Sequence, residues 1–199
     1  MDEKEQRQIF VKAAKEYGEA VGLLRAIAEV QADIRKKNGA SFDPDIFCRQ
    51  YDVLLQYSLI ELAASDEHAS GTELAFINSI TNYGDIVRVL NAKNKTDLTW
   101  EAIVVSDNAS LKRLLDAWRP AIDDICEEFT NDFALVDAII PQDLLKTFVD
   151  RTASILSCLM SIDGDFSDAE QNSLNTNYIM KVIGGINEKV GHFESIINK

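Results

Sequence analysis

Two copies of one octapeptide, Asp-x-x-x-Ser-x-x-Glu, stand 97 positions apart in this 199-residue chain, each between apolar residues at helical spacing. The copies run from Asp66 to Glu73 and from Asp163 to Glu170. Their flanks align as well: Leu59 and Leu62 with Leu156 and Leu159, and Ile77 with Leu174. Such a separation is too long for a solenoid period and fits a duplicated helical half. Each copy joins one apolar helix to another, so it is a turn with acidic side chains at fixed places.

The rest of the chain carries the same 3.6-residue period. Ile9, Phe10, Ala13, Tyr17, Val21, Leu24, Ala28 and Ile34 line one face of a segment from Glu3 to Lys37. It closes with Arg35, Lys36, Lys37, Asn38 and Gly39, a basic last turn followed by a C-terminal glycine. Asp43-Pro44 starts a second helix, Asp as N-cap and Pro at the first position. After the first acidic turn the period runs through Leu74, Ile77, Ile80, Tyr83 and Val87, while Asn91 to Thr99 is a polar loop. The apolar piece Trp100 to Val105 has no decisive period. A further helix begins at Asp107 or Asn108, and Pro120 should kink or divide it. Pro141 is expected to open the helix bearing Leu144, Phe148, Ile155 and Leu159. A final stretch runs from Leu174 to Ile197, weakened by Gly184-Gly185. The expectation is an all-α single domain over residues 1–199, a bundle of about seven helices in two pseudo-symmetric halves, with repeat motifs at 59–77 and 156–174.

Apolar residues make up 46% of the chain, with 9 Gly and only 3 Pro, which suits long uninterrupted helices. A formal charge of -13 argues against nucleic acid and against anionic membrane surfaces, both bound through concentrated Lys and Arg. It leaves cations or a basic partner, unless the charge serves solubility alone. Cys48, Cys126 and Cys158 are odd in number and far apart, and no charged n-region precedes an apolar core at the start, so a reducing cytoplasm is expected. No apolar run reaches the length of a membrane span. Cys48 and Cys158 fall on apolar stripes, as small buried hydrophobes do.

In both turns Ser-x-x-Glu precedes a helix, Ser70 with Glu73 and Ser167 with Glu170, which is the pattern of a capping box. Capping does not account for Asp66 and Asp163, placed where the dipole at the end of the preceding helix disfavours negative charge. Two things could compensate them. One is an Asx-type bond to the N–H groups of the turn. The other is a divalent cation, for which Asp163, Asp165 and Glu170 offer hard oxygen ligands, with Asp66 and Glu73 able to join if the halves meet. The second turn is not an EF-hand, since Asp168 and Leu174 stand where that loop needs Gly and Glu.

An apolar helix, then Asp-Gly-x-Phe/Ile-Ser-x-x-Glu, then another apolar helix resembles the TerB-like tellurite-resistance proteins and the related N-terminal domain of the DjlA co-chaperone. The resemblance centres on Leu156 to Leu174 and extends more weakly to Leu59 to Ile77. It implies an all-helical domain with pseudo-symmetric halves, and acidic turn residues that take divalent metal, Ca²⁺ or Mg²⁺. The metal role passes to Asp163, Asp165 and Glu170. The first copy departs from the pattern, with Glu67, His68 and Ala69 in the middle of the turn.

Other chemistries lack their signatures. There is no His-Glu-x-x-His, no Glu-x-x-His, no phosphate-binding glycine loop and no Gly-x-Ser-x-Gly elbow. His68, alone in an acidic turn, reads as a solvated side chain or as a ligand in place of Asp165. The reading that follows is a non-enzymatic cytoplasmic TerB-like domain that binds a divalent cation and a protein partner in stress response. The alternative is a metal-dependent small-molecule hydrolase using the same acids, for which neither turn supplies a Lys or Arg to hold a phosphate.

Overall fold

Helix α1 (Glu3–Lys37) is the long amphipathic helix that the first stripe predicts, and it buries Ala13, Ala20, Leu24, Ile27 and Ala28. The computed structural model describes residues 2–65, 69–81, 83–140, 143–162, 164 and 168–197. At the start of α1, Asp2 and Glu5 form a reciprocal capping box. At its end Gly39 takes φ +72°, the left-handed region where a side chain is strained. Helix α2 (Pro44–Ala63) begins as expected, with Asp43 Oδ1 accepting from the Asp45 N–H at 2.9 Å. Every residue from Val53 to Ile60 is buried, so this part of α2 is enclosed on every side and forms the centre of the bundle.

The described residues form nine helices, because several periodic stretches are divided or joined differently from the sequence expectation. The run from Leu74 to Val87 is split into α3 (Gly71–Ile80) and α4 (Tyr83–Asn94). The break falls at Thr81, whose backbone is extended and whose hydroxyl donates to the Ile77 carbonyl at 2.8 Å. Trp100 to Val104 is a short helix, α5, capped by Thr99. Pro120 does not divide α6 (Asn108–Ile139), which continues through the apolar stretch from Phe133. Proline removes the donor for the Asp116 carbonyl, and both Pro120 and Asp116 are exposed, so water can reach that group. Helix α7 (Leu144–Ser161) is opened by Asp143, whose carboxylate accepts from the Lys146 N–H at 2.7 Å; Pro141 lies outside the described residues. The last stretch divides at Asn177 into α8 (Asp168–Thr176) and α9 (Tyr178–Ile197). Gly184 and Gly185 stay helical inside α9, where burial of Val182 and Ile186 along α6 outweighs their cost of about 1 kcal/mol each.

The element order repeats. Long α1 and α6, medium α2 and α7, short α3 and α8, then α4 and α9 follow one another in the two halves, with α5 between them. The packing is reciprocal: α1 lies against α7 and α6 against α2, while α3 lies against α7 and α8 against α2. The symmetry is partial: among the described residues α1 also packs on α2 and α3 without a comparable packing of α6 on α7 and α8, and α9 runs along α6 while α4 sits mainly on α2. At the centre Phe129 stacks on Phe47 at 4.8 Å between ring centres, and Phe148 packs on Phe133 at 5.1 Å and on Tyr51 at 5.4 Å. Cys126 and Cys158 are buried in this core and Cys48 is half-buried. No helix among the described residues is long and apolar enough to cross a membrane.

Candidate functional site

The first acidic turn is built as a capped joint. Ser70 is the N-cap of α3: its Oγ accepts from the Glu73 N–H at 3.1 Å, and Glu73 Oε2 accepts from the Ser70 N–H at 2.6 Å. Glu73 is 1% exposed, a position where a carboxylate needs hydrogen-bond donors to stay charged. The turn is also tied to the start of α6, because Asn108 Oδ1 accepts from the Ala69 N–H at 3.1 Å. Replacing Ser70 with Ala is expected to cost about 1 kcal/mol, a loss of roughly 2–4 °C in the melting midpoint of a domain this size. A midpoint that does not move would mean that the box contributes nothing to stability. Asp66, the other site residue expected here, lies outside the described residues.

In the second turn, Asp163, Asp165 and Ser167 lie outside the described residues, and Glu170 is placed on α8 without a described side chain. Gly164 takes φ +83°, which explains the glycine between the two acids. Among the described residues no three His, Cys, Asp or Glu side chains converge as a metal-binding group. Glu73 Oε2 is bound into the cap of α3, while Asp66, the acid expected to act with it, lies outside the described residues.

Where α8 and α9 meet α2, a polar cluster joins the two halves. Glu61, near the end of α2, uses both carboxylate oxygens: Oε1 accepts from Arg119 of α6 at 3.0 Å, and Oε2 accepts from the Tyr178 N–H at 2.7 Å. That second bond places a carboxylate on the N-terminus of α9, where the helix dipole favours it. Asn177 completes the joint, donating to the Ser58 carbonyl at 2.9 Å and accepting from the Ile179 N–H at 3.1 Å. The Arg119 guanidinium lies 5.9 Å from the ring centres of both Tyr57 and Tyr178. Burial pushes the Tyr57 phenol up to about 12, and its hydroxyl donates to the Leu115 carbonyl at 3.1 Å. The Tyr178 hydroxyl donates to Asp123 at 2.9 Å, and Lys181 also donates to Asp123. Desolvation raises the Asp123 carboxyl, but these two donors outweigh it and hold the group below the ordinary carboxylate range.

No protein-family model, curated protein or solved structure matches this chain. The TerB-like resemblance therefore stands on the turn motif itself. Sequence reasoning missed the cluster, although one signal was present: Glu61 interrupts the apolar stripe between Leu59 and Leu62. It also expected no base beside the turns. The fold brings Lys112 and Arg119 of α6 to a 300 Å³ cavity at the end of α2, which Glu61, Ser65 and Ser173 also line.

Proposed function

We propose that this chain is a TerB-like helical binding module, non-catalytic and cytoplasmic, whose second acidic turn takes a divalent cation and whose surfaces serve protein contacts in a stress response. The observation that carries the reading is the reciprocal seating of the motif helices, α8 on α2 and α3 on α7, as expected of a duplicated domain of that kind. In the first turn Ser70 and Glu73 cap each other, and Asp66 and Glu73 add oxygen ligands if the two halves meet there. In the second, Asp163, Asp165 and Glu170 are the carboxylates that would hold Ca²⁺ or Mg²⁺ and so relieve the repulsion of acids beside a helix C-terminus.

Divalent ions test this directly. At 100 times its dissociation constant, an ion that binds only the folded state adds about 2.7 kcal/mol, which raises the melting temperature by roughly 5–10 °C. Monovalent salt at matched ionic strength should do much less. Asp163→Asn with Glu170→Gln should remove the divalent-specific rise. A melt indifferent to millimolar Ca²⁺ and Mg²⁺, with no heat of binding by calorimetry, would take the metal out of the reading.

One observation favours a second reading. Arg119 and Lys112 at the end of α2 are bases of the kind that a metal-dependent hydrolase of small phosphorylated molecules needs. Absence of Mg²⁺-dependent phosphate release from p-nitrophenyl phosphate would retire it.

A further inference from the structure

The first backbone N–H groups of α7 are held from another helix. Leu144 and Leu145 both donate to Asp137 Oδ1 of α6, at 2.9 and 3.2 Å, while the next donor, Lys146, turns to the Asp143 carboxylate at 2.7 Å. Two acids thus take three of the four donors that a helix start leaves open. Asp143 only caps its own helix, but Asp137 ties α7 to α6.

The tie faces a cavity of 590 Å³ where the ends of α6 and α9 meet the start of α7. Ile140, Leu145 and Val190 give it an apolar side, and its charged lining groups are Asp137 from α6, Asp143 from α7 and Glu194 from α9. No described Lys, Arg or His lines it. Glu194 is exposed and makes no hydrogen bond or ion pair with a described residue, whereas Asp137 is half-buried. Burial pushes the Asp137 carboxyl above its ordinary 3.8, the Leu145 and Leu144 N–H groups pull it back, and the charges of Asp143 and Glu194 push it up again, leaving the net direction upward.

Both bonds to α7 end on one oxygen. A proton can therefore sit on Asp137 Oδ2 while Oδ1 still accepts from Leu144 and Leu145. Protonation relieves the repulsion among the three carboxylates and leaves the tie in place.

We propose that Asp137 is a proton-operated joint: neutral, it holds the start of α7 closed on α6 and α9, and ionised, its repulsion by Asp143 and Glu194 loosens that end of the bundle. The closed joint holds its proton more tightly than the opened chain, so its stability falls as pH rises from the ordinary carboxylate value through the folded one. Acid tightens it and neutral pH loosens it. None of its residues belongs to the acidic turns, so this inference and the cation reading stand or fall separately.

Two measurements on the full chain test it: carbon NMR titration of the Asp137 carboxyl, and hydrogen exchange of the Leu144 and Leu145 amides, corrected for the intrinsic pH dependence of exchange. The titration midpoint should lie above the ordinary value. Each pH unit of that excess should appear as an about tenfold larger opening constant at neutral pH than in acid. Asp137→Asn keeps an oxygen for both N–H groups without the charge, so it should lose that pH dependence and stay as protected at neutral pH as the parent is in acid. Glu194→Gln removes one repelling charge and should lower the midpoint, with part of the neutral-pH opening lost. A midpoint at or below the ordinary carboxylate value, or equal protection of Leu144 and Leu145 in acid and at neutral pH, would overturn the inference. So would an Asp137→Asn chain that keeps the pH dependence of the parent. If that variant does not fold, the titration and Glu194→Gln decide alone, because an unchanged midpoint in Glu194→Gln removes the repulsion on which the joint works.

Discussion

Phe129→Ala should destabilise the protein by about 3–5 kcal/mol, the range for removing a fully buried phenylalanine whose site cannot collapse. Phe129 is 0% exposed and touches rings from three helices: Phe47 at 4.8 Å and Tyr51 at 6.3 Å on α2, Phe133 at 6.0 Å on its own α6, and Phe148 at 6.0 Å on α7. Backbone-anchored neighbours on separate helices cannot all move in to fill the space, so a cavity remains. The loss should separate from that of a peripheral aromatic: Phe42, only half-buried beside Phe47, should cost well under half as much. Urea unfolding of both alanine variants, compared at equal m-values, checks this. A cost below about 1.5 kcal/mol for Phe129→Ala would mean that the centre of the bundle repacks and that the ring cluster does not hold α2, α6 and α7 together.

The second large effect is expected at Glu61. Glu61→Ala removes the acceptor for the first N–H of α9 and the partner of Arg119 in one step, and should cost about 2–3 kcal/mol. The estimate is kept modest because Arg119 is 43% exposed and its ion pair is screened by water. Glu61→Gln should recover roughly half, since its carbonyl can still accept from the Tyr178 N–H while the charge is lost. A cycle with Arg119→Met should give a coupling of about 1 kcal/mol, with the remainder of the Glu61 loss belonging to the cap. If Glu61→Ala unfolds within 0.5 kcal/mol of the parent, the cluster does not join α9 to α2.

The helices themselves are legible in the chain because the forces that make them are local. Asp43-Pro44 starts α2, Asp107 caps α6, Gly39 ends α1 and Ser70 with Glu73 opens α3, each through bonds spanning no more than about four residues. The failures of the reading are local as well. An unbroken apolar period hid the break at Thr81, because a hydroxyl bonding back to the Ile77 carbonyl leaves no mark on hydrophobic spacing. Of the two outcomes open at Pro120, division did not occur, since the bared carbonyl of an exposed turn meets water.

What the sequence by itself determined is the set of apolar stripes, the caps that bound them and the duplication marked by two acidic turns. Which stripe meets which was decided by the tertiary structure. A stripe specifies that a face must be buried but not its partner, and the reciprocal seating of α2 on α6 and α7 on α1 follows from filling one core with all of them at once. The same packing assembled Glu61, Arg119 and Tyr178 across 58 and 117 positions of chain, and set Asp137, Asp143 and Glu194 around one cavity. Those side chains carry no periodic signal of their own, because charged groups near a helix surface are placed by the neighbours that the core brings to them.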